Sequence, residues 1–134
     1  MNDTITVLVV DDEQSIRALA REILEREGWS VRVAADGVEA LELLGSGPKI
    51  DCVVSDVMMP RIGGVELLMK LHQARPELPA VLISGRIDLE ASSMHALAPL
   101  LSSGARCLLK KPFSAELLVA AVQRALSHSC VEAA

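Results

Sequence analysis

Five polar residues lie at the end of an apolar run of the sequence or directly after it. Their side chains are of types that can bind a cation and negatively charged oxygens. In chain order they are Asp11, Asp12, Asp56, Ser84 and Lys111. Any one of them is an ordinary residue for a turn or a helix cap. Polar residues of these types at the ends of four apolar runs, however, indicate a functional site where those runs end.

Three carboxylates that converge on one point repel one another, and this repulsion predicts a bound cation. At an effective dielectric constant near 20, a pair of charges about 4 Å apart costs roughly 4 kcal/mol. The candidates include no His or Cys, so the oxygen ligands favour a hard cation, and a site with few protein ligands suits Mg²⁺ better than Ca²⁺. With Lys111 and the Ser84 hydroxyl nearby, the site can stabilise additional negative oxygens beside Asp56, and phosphate is the obvious candidate.

The elements that position these residues follow from an alternation of apolar runs with helical spacing. Strands are predicted at 5–10, 29–34, 51–55, 80–84 and 106–110. Helices are predicted at 14–27, 37–44, 64–74, 88–103 and 115–127, of which the fourth is interrupted by Pro99. Asp36 and Ser114 stand where they can cap the second and the last helix.

Five strand–helix units with continuous apolar strands predict a parallel sheet that helices cover on both faces. The expected fold class is α/β, a flavodoxin-like (βα)5 doubly wound parallel sheet with strand order 2-1-3-4-5 and three α/β/α layers. Right-handed crossovers then bring the carboxyl ends of strands 1 and 3 together at the switch point, where ligands bind in such sheets.

Length and composition narrow the class of protein further. A chain of 134 residues with 51% hydrophobic residues predicts one domain over 1–134, with a core at about 4–128 and a short C-terminal tail. A net charge of −5 argues against a surface that binds nucleic acid. The sequence contains no apolar run of about 18 residues and no signal peptide, so we expect a cytoplasmic protein that does not enter the membrane. The three cysteines lack C-x-x-C spacing, and no role is assigned to them or to the three histidines.

Four short motifs resemble the receiver domain of two-component response regulators. They are "VVDDE", "DVMMPRIGG" with its D-x-x-M-P-x-x-x-G spacing, "LISG" and "KKPFS", and the resemblance covers nearly the whole chain. It implies a phosphorelay protein in which Asp56 accepts a phosphoryl group from a sensor histidine kinase or a phosphotransfer protein. Such a domain is a signalling phosphoacceptor and not an enzyme acting on other substrates. It passes the signal to a downstream protein partner or to an attached output domain.

The resemblance also implies a role for each site residue. Asp12 and Asp56 bind Mg²⁺ directly, Asp11 binds it through water, and Met58 offers its main-chain carbonyl. Ser84 turns toward the phosphoryl oxygens.

In the same family a lysine directly precedes a proline. That position is held here by Lys111, and Lys110 is its solvated neighbour. One departure is Leu108, where many receivers carry a Tyr or Phe that moves with the hydroxyl residue. A switch that uses a ring at this position is therefore not available, and coupling through the backbone after Ser84 remains open.

Three other functions remain as alternatives at this point. A flavodoxin-like electron carrier shares the topology, but the chain has "DDEQ" where a phosphate loop would stand, and it has almost no aromatic residues. A phosphatase that works through an aspartyl intermediate usually carries an acid or base Asp two residues after the nucleophile, where this chain has Met58. A receiver that binds partners without phosphorylation is the third.

Overall fold

The structure is a computed structural model that describes residues 4–47, 49–56, 67, 70–71, 73–75, 78–84, 105–110 and 112–127. Of residues 84, 105–108 and 110 it describes the backbone only. The strands are β1 Thr6–Val10, β2 Ser30–Ala34, β3 Cys52–Asp56, β4 Ala80–Ser84 and β5 Ala105–Lys110. The helices whose bounds are described are α1 Gln14–Glu25, α2 Gly37–Ser46 and α3 Ala115–Leu126.

All five strands form one parallel sheet of order β2-β1-β3-β4-β5, which confirms the predicted doubly wound topology. β1 lies between β2 and β3. Val10 pairs in register with Ser55, so the residues that follow them, Asp11 and Asp56, lie level with each other at the carboxyl edge. The switch point of the sheet is therefore where the two acidic positions meet.

The two faces of the sheet are covered by separate apolar clusters, as a three-layer α/β/α fold requires. Because side chains alternate along a strand, Val7 and Val9 of β1 join one cluster, while Leu8 and Val10 join the other. The first cluster contains the buried residues of α1 and α3, and the second contains Ala40 of α2 together with the helical residues at 67 and 71. A strand buried on both faces must be apolar at every position, which explains the continuous runs in the sequence.

Side-chain caps begin two of the helices at the predicted residues. Asp36 accepts a hydrogen bond from the Glu39 N–H of α2 at 2.9 Å, and Ser114 Oγ accepts one from the Leu117 N–H of α3 at 3.1 Å. Each cap satisfies a backbone donor that the first turn of a helix leaves unpaired.

Several boundaries differ from the prediction by one or two residues. α1 ends at Glu25 and not at residue 27, because the N–H groups of Glu27 and Gly28 bond to carbonyls three residues back and tighten the chain into a turn. β2 begins at Ser30, one residue after the predicted start, and β3 extends to Asp56.

Two predicted helices fall wholly or partly outside the described residues. Residues 67, 70–71 and 73–74 are helical, in agreement with the helix predicted at 64–74. The helix predicted at 88–103 and the C-terminal tail lie outside the described residues. In the part of the chain that is described, no helix combines the length and the apolar character needed to span a membrane.

Candidate functional site

Three aspartates from two neighbouring strand ends meet at the carboxyl edge of the sheet. Asp11 and Asp12 begin the loop after β1, and Asp56 is the last residue of β3. One carboxylate oxygen from each residue lies within 4.8 Å of those from the other two. Asp11 and Asp56 are buried, with 1% and 5% of their surface exposed, whereas Asp12 is open to solvent. The structure therefore brings together the three carboxylates that the sequence singled out, with Asp12 as the member that is exposed to solvent.

Asp11 is held from three directions. Its N–H donates to the Ala34 carbonyl of β2 at 3.1 Å, which continues the β1–β2 ladder one residue into the loop. Its Oδ1 accepts from the Glu13 N–H at 2.9 Å, and its carbonyl oxygen accepts from Arg17 Nη1 at 2.7 Å. The loop that carries the acidic pair is thus fixed to β2 on one side and to α1 on the other.

Asp56 owes its position to the sheet itself. It pairs in register with Ile83 of β4, and its carbonyl oxygen accepts from the buried Ser55 hydroxyl at 3.1 Å. A strand that is paired on both sides and covered on both faces is among the most rigid supports that a fold offers. The backbone of Asp56 is therefore held at a fixed point of the carboxyl edge.

The donor set fits a hard divalent cation. Three carboxylates this close, two of them buried, repel one another by up to roughly 4 kcal/mol per pair at an effective dielectric constant near 20. A divalent ion offsets that repulsion, and three oxygen ligands on one side leave positions for water, as Mg²⁺ prefers. Asp11, Asp12 and Asp56 are the described residues that would hold it.

The remaining predicted site residues are described only in part. Ser84 is the last residue of β4 and follows Ile83, the partner of Asp56, while the Ser84 side chain is not described. In β5, Lys110 pairs in register with Ser84 and ends the strand, so the backbone reaches this edge directly before Lys111. Lys111 itself and Met58 lie outside the described residues. Their assignments stay predictions.

One residue of the site was missed by the sequence reasoning, namely Arg17. Its contact spans six positions along the chain and joins a side chain to a carbonyl, which residue types alone do not reveal. A signal was nevertheless present, because Arg17 lies in the first turn of α1. The N-terminal end of a helix carries partial positive charge and disfavours a cation, so a cation placed there suggests a specific partner.

A doubly wound sheet of this order with an acidic cluster at its switch point is the arrangement expected of a receiver domain. The chain belongs to the response regulator receiver domain family, whose family model matches residues 7–123. The role of this family is phosphorelay signalling in two-component systems. This match excludes the electron carrier that shares the strand order.

Named relatives and solved structures agree with this assignment. The response regulator MprA of Mycobacterium sp. (strain KMS) is 38% identical over 125 residues, which cover 93% of this chain and 52% of the relative. The receiver domain of NtrX from Brucella abortus is 36% identical with a TM-score of 0.76, covering 90% of this chain and 97% of that one. The chemotaxis protein CheY4 of Vibrio cholerae is 30% identical with a TM-score of 0.81, covering 92% and 99%. The chain spans about half the length of the curated relatives it matches.

Proposed function

We propose that the chain is a phosphoacceptor switch in which Asp56 receives a phosphoryl group from a histidine kinase or a phosphotransfer protein, with Mg²⁺ bound by Asp11, Asp12 and Asp56. The observation that carries this proposal is the convergence of the three carboxylate oxygens within 4.8 Å at the switch point of the sheet. Membership of the receiver family supports it independently.

The chemistry required of Asp56 is a nucleophilic displacement. One carboxylate oxygen forms a bond to phosphorus, the bond between phosphorus and the donor breaks, and its electron pair leaves with the donor. The rigid end of β3 presents that oxygen from a fixed position, so little motion is needed to align it with the donor. A bound Mg²⁺ offsets the negative charge of the carboxylates and of the incoming phosphoryl oxygens.

Three further roles belong to the proposal because the family resemblance supports them. Lys111 supplies a positive charge to the phosphoryl oxygens, Ser84 turns its hydroxyl toward them, and the Met58 carbonyl is a further ligand for the cation. The ends of β4 and β5 are at the edge where these roles are needed.

The same proposal covers the setting in which the chain works. We expect one receiver unit over 1–134, with its core at about 4–128, that modifies only itself and acts in the cytoplasm. Output passes to an attached domain or to a separate protein. The longer chains of relatives support the attached domain, since the match covers 52% of MprA and 28% of NtrX from Brucella abortus. Direct contact with nucleic acid or membrane is not part of the proposed role.

The test is phosphorylation of the full chain by a small phosphodonor such as acetyl phosphate, with intact-mass measurement. Wild-type protein should gain the mass of one phosphoryl group with Mg²⁺ and none after chelation, whereas Asp56→Asn should gain none. Asp36→Asn is the matched control, because Asp36 follows β2 at the same edge and Asn caps a helix as well as Asp does. Labelling of Asp56→Asn at the wild-type level would contradict the assignment. No labelling of wild-type protein would favour a receiver that binds partners without phosphorylation.

A further inference from the structure

Arg17 differs from Arg21 of α1 and from Arg26, which directly follows α1, in what its side chain contacts. Arg21 and Arg26 form ion pairs on the helix surface with Glu25 and Glu22, at 3.1 and 2.9 Å. Arg17 is partly buried and turns back past the start of the helix to the Asp11 carbonyl oxygen, at 2.7 Å from Nη1. Its hydrogen bond is thus made to the acidic loop and not to the helix.

The contact has consequences for the next residue because a peptide unit is planar. The Asp11 carbonyl and the Asp12 N–H belong to the same rigid plane, so fixing the oxygen also fixes the direction in which the chain leaves toward Asp12. The N–H and Oδ1 of Asp11 are anchored to Ala34 and Glu13, as described above. Arg17 adds an anchor at the carbonyl, the atom that leads to the exposed member of the cluster.

We propose that Arg17 is a positioning residue for the metal site, which sets the orientation of the Asp11–Asp12 peptide and thereby the affinity for Mg²⁺. This inference rests on the proposed function, since it assigns a support to the same cation site. Arg17 donates to a main-chain oxygen, so its effect reaches the cation through the aspartates.

Loss of the Arg17 charge and loss of its hydrogen bond predict opposite changes in the affinity for Mg²⁺. A guanidinium close to the cluster repels a divalent cation and relieves repulsion among the metal-free carboxylates, so loss of its charge alone would tighten Mg²⁺ binding. Loss of the anchor would leave the Asp12 ligand less well oriented and would weaken binding. The proposal commits to weaker binding, because outer partners that orient metal ligands typically contribute about tenfold or more to metal affinity.

The experiment is an equilibrium Mg²⁺ titration of the full chain, by calorimetry or by amide NMR shifts, on wild type, Arg17→Ala, Arg17→Lys and Arg21→Ala. Arg17→Ala should raise the dissociation constant about tenfold. Arg17→Lys keeps a donor and a charge and should recover most of that loss. Arg21→Ala removes an arginine one turn further along that is 51% exposed and paired only with Glu25 in the described contacts, and it should bind Mg²⁺ as wild type does.

A kinetic measurement separates positioning from general damage to the fold. With a small phosphodonor, Arg17→Ala should need about tenfold more Mg²⁺ for half-maximal labelling, while the rate at saturating Mg²⁺ changes much less. Arg17→Gln, a milder change, provides the same comparison if the alanine variant does not fold.

The two proposals fail in different ways. If wild-type protein binds no Mg²⁺, the proposed function is wrong. If wild type binds Mg²⁺ and the Arg17→Ala and Arg17→Gln variants bind it as tightly or more tightly, the role of Arg17 is wrong while the proposed function stands.

Discussion

Asp12 is the exposed member of a cluster whose other two carboxylates are buried, and its charge acts on stability in two opposite ways. Without a cation it repels Asp11 and Asp56. In the proposed metal site it is one of the ligands. The sign of its contribution should therefore depend on whether Mg²⁺ is present.

We predict that Asp12→Asn makes the Mg²⁺-free protein more stable, because it removes one charge from the cluster while keeping the side-chain shape. The free energy of unfolding should rise by about 1 kcal/mol at low salt, and by less at high salt. Urea unfolding in the presence of a chelator measures this difference. Asp36→Asn, which removes a carboxylate outside the cluster, should show no such gain.

Addition of Mg²⁺ should reverse the order of the two proteins. At a concentration about one hundred times the dissociation constant, a ligand that binds only the folded state stabilises it by about 2.7 kcal/mol. The free energy of unfolding of wild-type protein should rise by that full amount, and that of Asp12→Asn should rise by less. Equal increments in both proteins would show that Asp12 is not a ligand.

For individual residues, the sequence predicted which residue types form the site but not all of the contacts that they make. Asp11, Asp12 and Asp56 were predictable as neighbours because parallel strands end at a common edge. The contact of Arg17 with the Asp11 carbonyl was not, because it depends on the path of a loop and on a side-chain conformation that no spacing encodes.

The turn between α1 and β2 sets the direction in which the chain enters β2, the edge strand next to β1. Gly28 ends the turn after α1 with φ at 86°, a conformation that side chains other than glycine disfavour. A Cβ built at Gly28 meets no atom within 4 Å, so a substitution there tests backbone strain without a steric clash.

We predict opposite effects of alanine at two glycines that both have open space around them. Gly28→Ala should lower the free energy of unfolding by about 1 kcal/mol, from the left-handed backbone alone. Gly45→Ala lies within α2, where no atom is within 4 Å of the added Cβ, and should raise it by about 0.5 kcal/mol. Denaturant unfolding of both variants measures the pair. A loss of stability in Gly45→Ala equal to that in Gly28→Ala would contradict this account of the turn.

Elements were predictable where one physical signal dominates. The strand predicted at 80–84 coincides with β4, and the caps at Asp36 and Ser114 were recognised from residue type and position. The C-terminal end of α1 was predicted too late, because Arg26 and Glu27 are good helix formers and only the hydrogen bonds of the turn stop the helix at Glu25.

In the whole molecule, the amino and carboxyl ends of the parallel strands are separated by the full length of the strands. Trp29 directly precedes β2, and its side chain packs against the apolar cluster shared with α1 and α3. The β1–β2 register pairs Ser30 with Thr6, so Trp29 is about six residues, or roughly 20 Å, from the level of Asp11. The tryptophan is thus at the opposite end of the sheet from the acidic cluster.

We predict that Trp29 fluorescence reports unfolding but not metal binding. Titration with Mg²⁺ should leave its intensity and emission maximum at their metal-free values, since the tryptophan lies far from the site. Unfolding in urea should shift the emission to the red as the apolar contacts are lost. Quenching by Mg²⁺ that Asp12→Asn abolishes would mean that the two ends of the sheet are coupled.

The overall topology followed from the sequence because few arrangements satisfy the same constraints. Five apolar runs separated by helical segments require parallel pairing, and right-handed crossovers leave the order now observed as the common solution. The switch of the signal to a partner is not determined in this way. We expect it to involve Ser84 and the chain that follows β4, and the side chains of Ser84 and Leu108 and residues 85–104 lie outside the described residues.

The carboxylate at the end of β3 is proposed to become an acyl phosphate, and chemical trapping identifies that group at its own residue. Treatment with acetyl phosphate and Mg²⁺, followed by borohydride reduction and peptide mass mapping, converts a phosphorylated aspartate into homoserine at its own position. We predict homoserine at position 56, in wild-type protein and only when Mg²⁺ is present. Homoserine at another aspartate, or at position 56 in equal amount after chelation of the metal, would contradict the account.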